Sequence, residues 1–323
     1  MATAFSPSNS VTTTTADKFI PDIWSDEIVA AYKKNLVLAN LVMKMNFKGK
    51  KGDTVHIPAP TRGSASAKAA STAVTLIADT ETEIQVSINQ HFEYSRFIED
   101  IVEAQALNSL RQFYTADAGY ALAKQVDTSL IQLGRAFNGA TVGTNDYATS
   151  NTTTKAFIGG DGTTAYNSTS SNASALTDAA IRRTIQRLDD NDTPMDGRFF
   201  IIPPSSRNTL MGLSRYTEQA FVGNGNAIRT GEIGNLYGIP VFTSSNADTG
   251  AGNTATDRIC LMGHKDSMVL VEQIGIRSQT QYKQDYLATL FTSDTLYGVK
   301  ALRAAATTGA ALSSSAFALA VPA

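Results

Sequence analysis

The sequence predicts an α+β fold in which a long helix and a long β-hairpin extend from a domain with a small central sheet. Apolar and polar residues alternate at positions 84–88, as in a half-buried strand. Residues 98–137 keep a helical apolar spacing over an unusual length. Short helical and strand-like stretches then alternate over residues 176–303. With 323 residues, the chain is long enough for one large or two modest domains.

The composition narrows the function classes. Hydrophobic residues make up 42% of the chain, enough for a core, whereas charged residues are only 17%, below the usual quarter. A surface with few charges and many small polar side chains suits a protein that is covered by neighbours. The net charge is −2 and no basic run is present, so we expect any contact with DNA to be non-specific.

The single cysteine, Cys260, excludes a disulfide framework within the chain and is predicted to be a buried core side chain. The N-terminus has no secretory signal pattern, and no stretch approaches the ~20 apolar residues that cross a bilayer. We therefore expect folding in a reducing cytoplasm and no membrane partner.

The N-terminal region divides into two parts. Residues 1–20 are rich in Ser and Thr and predict an arm that is either disordered or ordered only on a partner. Residues 22–46, which include Trp24 and Tyr32, predict a helix whose apolar side chains spread around most of its circumference. Such a helix needs cover on several sides. Burial in its own domain and docking across a neighbouring subunit both remain open.

Residues 54–57 and 84–88 predict the two strands of a hairpin. The second strand carries three alternating apolar residues, Ile84, Val86 and Ile88. The connecting residues 64–82, which include Lys68, are nearly all small or polar. Since a two-stranded hairpin is marginal by itself and this tip has little to bury at home, we interpret it as an arm that reaches a neighbour.

Residues 98–137 predict a spine helix, because no proline lies between Pro60 and Pro194 and the apolar residues recur three and four apart. Its length would be about 60 Å, with Gly119 as a candidate kink. Residues 138–175 are rich in Gly, Ser and Thr and predict a loop or insertion.

Residues 176–303 predict the second half of the α+β layout. Thr177 or Asp178 is expected to cap a helix that ends at the acidic residues 189–192. The remaining expected elements are a strand at 199–202, a helix at 205–213, a turn at 223–226, strands at 236–242 and 259–262, a strand or helix from Ser267, and a β-rich run at 286–303. The Ala-rich residues after Arg303 predict no element.

The residues that usually carry chemistry do not form a recognisable set. His56, His91 and His264 lack metal-ligand spacing, and Cys260 with His264 supplies only two of the four ligands of a structural zinc site. Glu93, Glu99, Asp100 and the acidic residues 189–192 are better explained by helix ends than by acid–base chemistry or calcium. No nucleophile elbow, phosphate loop or dinucleotide motif is present. We expect no enzyme activity, cofactor or metal.

Three segments carry a family resemblance. Residues 231–246 (GEIGNLYGIPVFTSSN), residues 281–303, which close with KALR, and residues 51–55 (KGDTV) are similar to phrases of tailed-phage capsid subunits. In order and spacing, residues 20–303 resemble the HK97-type capsid fold. The resemblance implies an N-terminal arm (1–45), an E-loop hairpin (46–90), a peripheral domain with the spine helix and the insertion (91–175), an axial domain (176–265), returning strands (266–303) and a C-terminal tail (304–323).

The resemblance further implies a major capsid protein that forms pentamers and hexamers, assembles in the host cytoplasm and encloses packaged double-stranded DNA. The arm is too short to be a built-in scaffold, so the implied partners are other copies of the chain, a separate scaffolding protein, a portal and a decoration protein. Lys68 has no matching partner motif for a covalent crosslink. The residues expected at subunit contacts are Trp24, Tyr32, Lys68, Ile84, Val86, Ile88, Tyr237 and Pro240.

Three other functions stay open at this stage. An encapsulin-like cellular compartment would use the same fold. A surface array protein would fit the Ser, Thr and Asn content, although the missing secretory signal weighs against it. An unrecognised enzyme would need converging ionisable side chains that the sequence does not show.

Overall fold

The computed structural model describes residues 37–49, 51–60, 63, 65–74, 76, 81–100, 109–134, 156–164, 166, 172–213, 234–247, 257–303 and 315–323. The helices in these ranges are α1 (Ser109–Gly134), α2 (Asp178–Asp190) and α3 (Pro204–Met211). The strands are β1 (Met43–Asn46), β2 (Thr54–Pro60), β3 (Glu81–Ser87), β4 (Gln90–Glu99), β5 (Phe157–Ile158), β6 (Arg198–Ile202), β7 (Asn235–Leu236), β8 (Ile239–Thr243), β9 (Arg258–His264), β10 (Met268–Lys283), β11 (Ala288–Ala301) and β12 (Ala316–Val321). These elements confirm the predicted α+β class.

A four-stranded sheet with the order β1-β10-β11-β4 forms one half of the described structure. The long strands β10 and β11 pair antiparallel, and β4 pairs antiparallel with β11 over the whole of its length. The short strand β1 runs parallel to β10 and covers only residues 269–272. Among the described strands, the far half of β10 is therefore paired on one side only, with β11.

Helix α1 is the described part of the predicted spine. Its 26 described residues span about 39 Å at ~1.5 Å per residue. Residues 98 and 99 belong to β4, because they pair with β11, and residues 101–108 and 135–137 lie outside the described ranges. The helix runs through Gly119 without a break. Its second half packs Leu130, Ile131 and Leu133 between the two sheets.

A six-stranded sheet with the order β5-β12-β9-β6-β8-β7 forms the other half. Strand β6 is buried at all five residues, so both faces of this sheet are covered. On one face, Phe200 and Ile202 pack with Ile181 of α2 and Leu210 of α3. The predicted cap of α2 is Thr177, whose hydroxyl oxygen accepts a hydrogen bond from the Ala180 amide at 3.2 Å.

Two predicted elements are wrong in detail. Of the helix expected over residues 22–46, the structure describes residues 37–46, and these form a short 3-10 helix, Leu38–Asn40, and β1, because residues 43–46 pair with β10. Residues 1–36 lie outside the described ranges. The single strand expected at 236–242 is instead a hairpin of β7 and β8. Its turn residues, Tyr237 and Gly238, have φ values of 52° and 82°, as a two-residue hairpin turn requires.

Two regions contribute more than the sequence indicated. Within the insertion, β5 joins the six-stranded sheet and Tyr166 is buried, with its hydroxyl donating to Asp257 Oδ2 at 2.8 Å. Burial and this carboxylate raise the pKa of Tyr166. In the C-terminal region, β12 lies between β5 and β9 and is buried at every residue. The last strand of the chain is therefore an interior strand of the sheet.

Strands β2 and β3 form an antiparallel ribbon from Thr54↔Ser87 to Pro60↔Glu81, which confirms the predicted strand pair. The base of the ribbon is anchored to the chain's own four-stranded sheet. There Val55, Val86 and Ile88 form a buried cluster with Val269 and Val271 of β10. The described residues between the strands, 63, 65–74 and 76, are all exposed.

Gly298 is expected to be intolerant of a side chain. A Cβ at this position of β11 would collide with the Ser87 carbonyl oxygen and lie 3.2 Å from Ile88 Cα, where the chain passes from β3 to β4. We expect Gly298→Ala to lower the free energy of unfolding by about 1–3 kcal/mol.

Gly119→Ala is the matched control, since the space around Gly119 is open to 4 Å and the residue lies inside α1. It should raise the free energy of unfolding by up to ~1 kcal/mol. Urea unfolding followed by circular dichroism measures both. Equal effects of the two variants would contradict the packing of the β3–β4 connection on β11.

Candidate subunit-contact surface and its buried support

The far half of strand β10 is exposed on both faces. Residues 276–282 of β10 are all exposed, whereas residues 268–271 at the other end are all buried. The exposed stretch reads Ile-Arg-Ser-Gln-Thr-Gln-Tyr and keeps an unbroken register with β11 from Arg277 to Lys283. The far half of β10 is therefore a surface strand rather than part of the core.

Four large apolar or aromatic side chains lie at the tip of this half-sheet; we call Phe97, Tyr282, Tyr286 and Leu287 the tip patch. Their exposed fractions run from 48% to 69%. The rings of Phe97 and Tyr286 are 5.6 Å apart between centroids. The Tyr282 hydroxyl donates to Asp100 Oδ2 at 2.7 Å, which raises the pKa of Tyr282. Clustered exposed apolar side chains are typical of an interaction surface.

The tip patch depends on a strained turn. Leu287 follows the short 3-10 helix Gln284–Tyr286 and has φ 45° and ψ 49°, a left-handed conformation that is unfavourable for a leucine. Its carbonyl oxygen accepts from the Asp100 amide at 3.1 Å, which ties the turn to the end of β4. Glycine or asparagine would suit this backbone better, so the exposed leucine is not explained by the turn itself.

An ion pair stiffens the sheet behind the tip patch. The Arg277 guanidinium donates to both carboxylate oxygens of Asp294, at 2.8 Å and 2.9 Å, across β10 and β11. His91 of β4 lies 3.3 Å from the same carboxylate. The hydrogen bonds from Arg277 hold the pKa of Asp294 below its usual value. The Asp294 carboxylate of β11 thus links its strand to β10 through Arg277 and to β4 through His91, which favours the observed register of the three strands.

A buried carboxylate joins three separate parts of the chain inside the body of the subunit. Asp127 of α1 is fully buried, and its Oδ1 accepts from the Leu38 amide at 2.9 Å and the Ala39 amide at 3.3 Å. Its Oδ2 accepts from Asn246 Nδ2 at 3.0 Å, in the segment after β8. Burial raises the pKa of Asp127, and the donated hydrogen bonds oppose that shift. This junction fixes the point where the chain enters the domain from its N-terminal side.

The expected contact residues fall into distinct environments. Trp24 and Tyr32 lie outside the described residues, and Lys68 is exposed beyond the ends of β2 and β3. Ile84 is half-buried. Val86 and Ile88, by contrast, pack in the chain's own cluster at the ribbon base, with exposed fractions of 0% and 8%. This corrects the expectation for these two, because side chains covered at home are not available to a neighbour.

Tyr237 and Pro240 lie in the β7–β8 hairpin, at the edge of the six-stranded sheet. Tyr237 is exposed, and its hydroxyl donates to Asp178 Oδ1 at the start of α2. Pro240 is half-buried and pairs with Asn235. The structure therefore leaves both at the surface, away from the tip patch.

Sequence reasoning missed the tip patch and Asp127, although each left a signal. Phe97 interrupts the alternation of β4, in which Phe92 and Tyr94 are half-buried and Phe97 is exposed. Asp127 is the one carboxylate in the buried stretch 126–134 of α1, beside Leu130 and Ile131. An acid on an apolar stripe indicates a buried polar partner.

The candidate metal and catalytic residues have separate structural partners. His56 lies 2.9 Å from Glu83 on the exposed ribbon, and His264 Nε2 lies 2.8 Å from the Asp196 carbonyl. Cys260 is fully buried, which raises its pKa to about 12. Within the described ranges, no three His, Cys, Asp or Glu side chains converge on a metal-sized site. In the same ranges, no helix has the length and hydropathy to cross a bilayer.

Comparisons with known proteins agree with this architecture. A model of the family described as phage capsid protein matches residues 25–307. No curated protein sequence matches. Among solved structures, a chain of Mycobacterium phage Che8 is 22% identical, with a TM-score of 0.70 over 93% of this chain and 97% of that one.

Two further capsids extend the similarity. A chain from the capsid of cyanophage P-SCSP1u is 21% identical, with a TM-score of 0.71 over 98% of each chain. A chain from the capsid of Ralstonia phage GP4 is 13% identical, with a TM-score of 0.67 over 98% of each. At these identities the likeness shows the fold. The family model covers most of the chain, and the chain shares its architecture with these capsid structures. The chain therefore belongs to the phage capsid protein family and has the HK97-type capsid fold.

Proposed function

We propose that this chain is the major capsid subunit, which assembles through pentamers and hexamers into an icosahedral shell around packaged double-stranded DNA. One contrast supports the proposal. The two sheets form a well-buried body, whereas large apolar side chains of the β2–β3 connection and of the tip patch are not covered by described residues of the same chain. Val74 and Leu76, beyond the ribbon strands, are 68% and 88% exposed. The tip patch is exposed as well. Apolar groups displayed in this way are stabilised when copies of the subunit cover them.

The proposed partners follow from the same features. Ribbon residues 65–74 and Leu76, together with Lys68, Ile84, Tyr237 and Pro240, are the described candidates for contacts between copies. Trp24 and Tyr32 remain candidates from the sequence. We assign assembly to the host cytoplasm with a separate scaffolding protein and a portal, and the exposed shell can accept a decoration protein. The net charge of −2 favours only loose contact with the packaged DNA.

Purification of the chain, alone and with a candidate scaffolding protein, tests the proposal. Size-exclusion chromatography and negative-stain microscopy should show closed shells of uniform diameter at high protein concentration. A second preparation in 1 M salt distinguishes apolar contacts, which persist, from surface ion pairs, which are screened. A monodisperse monomer under all of these conditions would overturn the proposal.

Leu287→Asn is expected to separate assembly from stability. Asparagine tolerates the left-handed backbone at this position, so the free energy of unfolding should stay level or rise by up to ~1 kcal/mol. The same change removes an exposed apolar side chain from the tip patch, so the yield of shells should fall. Leu287→Met, which keeps the apolar character, is the matched control and should assemble normally. Shells from Leu287→Asn in wild-type yield would remove the tip patch from the contact surface.

A further inference from the structure

Two Asp-Gly pairs lie in described turns, and their environments are opposite. Both Asp161-Gly162 and Asp196-Gly197 place the glycine at a positive φ, of 64° and 81°. An aspartate before a glycine can rearrange, because the glycine amide nitrogen can attack the side-chain carboxyl when no Cβ crowds the approach. Hydrogen bonds that occupy the carboxyl or the amide oppose this attack, so they decide which pair reacts.

The first pair is protected on both sides of the reaction. Asp161 Oδ2 accepts from the Thr164 hydroxyl at 2.6 Å, and Oδ1 accepts from the Thr163 and Thr164 amides at 2.8 Å and 3.0 Å. These bonds, that of the Thr164 hydroxyl above all, lower the pKa of Asp161 to about 2, so the neutral carboxyl that can lose water is scarce. The Gly162 amide donates to the Ile158 carbonyl at 3.0 Å, and Gly162 is buried.

The second pair lies in the turn between α2 and β6 without this protection. Asp196 and Gly197 are both exposed. Among the described residues, neither the Asp196 carboxylate nor the Gly197 amide has a hydrogen-bond partner. The backbone carbonyl of Gly197, by contrast, accepts from the Lys265 amide at 3.1 Å. The turn is therefore held in place while its two reacting groups stay available.

A buried histidine polarises the peptide bond of the second pair. His264 Nδ1 accepts from the Asp266 amide at 3.2 Å, so Nε2 carries the ring proton and donates to the Asp196 carbonyl oxygen at 2.8 Å. A hydrogen bond to a peptide carbonyl draws electron density from the peptide nitrogen. The Gly197 N–H is then easier to deprotonate, and the deprotonated nitrogen is the attacking group.

We propose that Asp196 is a site of spontaneous conversion to isoaspartate, through a cyclic imide shared with Gly197. The Gly197 nitrogen loses its proton and bonds to Asp196 Cγ, and the carboxyl hydroxyl leaves with that proton as water. A water molecule then opens the ring. Its attack on Cγ restores aspartate, whereas its attack on the former main-chain carbonyl gives isoaspartate, so the net change is an isomerisation. This inference goes beyond the proposed function and does not depend on it.

The product does not fit its place in the fold. Isoaspartate routes the main chain through the side chain and lengthens it by one carbon between two fixed points. On one side, the Arg198 guanidinium donates to the Thr193 and Pro194 carbonyls, at 2.5 Å and 2.9 Å. On the other side, the Gly197 carbonyl is held by the turn after β9. We expect the modified chain to lose one of these contacts, which loosens the entry to the buried strand β6.

Storage of the purified full-length chain, at neutral pH and elevated temperature over several weeks, tests the proposal. Peptide mapping should show a new species of unchanged mass at Asp196, which resists endoproteinase Asp-N and is methylated by isoaspartyl methyltransferase. Its yield should exceed that at Asp161 by at least ~10-fold, because each unit by which a pKa falls makes the neutral carboxyl tenfold rarer.

Two variants at the same position are matched to this measurement. Asp196→Glu keeps the charge but needs a six-membered ring, so the new species should disappear. Asp196→Asn keeps the five-membered ring and releases ammonia in place of water, so conversion should be faster and should carry the mass change of deamidation. Urea unfolding of the stored wild type should show an added transition at lower urea, which follows the isoaspartate fraction and is absent from Asp196→Glu.

Two results would overturn the inference. One is an equal yield of isoaspartate at Asp161 and Asp196, since the hydrogen bonds would then not select the site. The other is no isoaspartate at Asp196 while a free peptide of residues 192–200 converts in a parallel sample, since the folded turn would then prevent the attack. Neither result involves shell formation, so the proposed function stands or fails separately.

Discussion

Asn246→Asp should destabilise the subunit by about 3 kcal/mol or more at pH 7, since it places a second carboxylate beside one that is already buried. Asn246 Nδ2 now lies 3.0 Å from Asp127 Oδ2, and Asp127 is fully buried. Two carboxylates at this distance cannot both ionise, so they share a proton and the pKa of the pair rises. The loss should therefore be small at acidic pH and should grow as the pH rises through the raised pKa.

Adding Asp127→Asn to this variant should recover most of the lost stability. The amide introduced at position 127 can donate to the new carboxylate at position 246, while its oxygen still accepts from the Leu38 and Ala39 amides. The recovery is a coupling between two residues in contact, which a double-mutant cycle measures directly. Urea unfolding of the four proteins at pH 5 and pH 7 gives the cycle.

The same junction predicts a local effect that global unfolding does not report. In Asp127→Ala, which removes the acceptor of the Leu38 and Ala39 amides, the chain near Leu38 loses its anchor, so limited proteolysis should cut near residues 37–40 faster than in the wild type. Asp190→Asn is the control, because Asp190 is exposed at the end of α2, and it should change stability by less than ~0.5 kcal/mol. Additive losses in the cycle, with no recovery, would show that Asp127 and Asn246 do not act as one junction.

The sequence predicted those elements that local patterning determines. The helical stripe of α1, the alternation at Ile84, Val86 and Ile88, and the Thr177 cap each depend on residues close together in the chain, and the structure shows all three. The turns next to these elements were also predicted, from their Gly, Pro and Asp residues. Local propensity and local spacing are sufficient where no distant partner decides the outcome.

The missed elements depend on distant partners. Residues 43–46, Met-Lys-Met-Asn, have side chains that suit a helix, yet they form β1 because β10 offers a parallel edge more than 220 residues later. Strand β12 was missed for a different reason. Its sequence, Ala-Phe-Ala-Leu-Ala-Val, is apolar on both faces, so it shows none of the polar alternation that marks a half-buried strand.

The contact surface was only partly predictable. The exposure of the connection between β2 and β3 was predicted from its small and polar composition, and its described residues are all exposed. The sequence indicated that Val86 and Ile88 were equally available to a neighbouring subunit. In the structure, the base of the ribbon packs against Val269 and Val271 of the same chain. Periodicity identifies which side chains need cover. It does not identify whether the cover comes from the same chain.

Removal of residues 315–323 should abolish folding of the subunit. This segment contains β12, which pairs antiparallel with β9 and parallel with β5. One of its faces adds Phe317, Leu319 and Val321 to the cluster under α2 and α3, and the other packs Ala318 and Ala320 against Tyr166. Burying three such side chains contributes about 5–9 kcal/mol, which is comparable to the whole stability of a typical domain.

Removal of residues 322–323 alone is the matched control for this truncation, because both are exposed and lie beyond β12. The control should remain soluble with an unfolding midpoint close to the wild type, while the longer truncation should be insoluble or should lack the near-UV signal of packed aromatic rings. Leu319→Asp tests the same strand without changing chain length and should fail in the same way, since it buries an unpaired charge. If the variant without residues 315–323 were soluble with a native near-UV spectrum, β12 would not be required inside the six-stranded sheet.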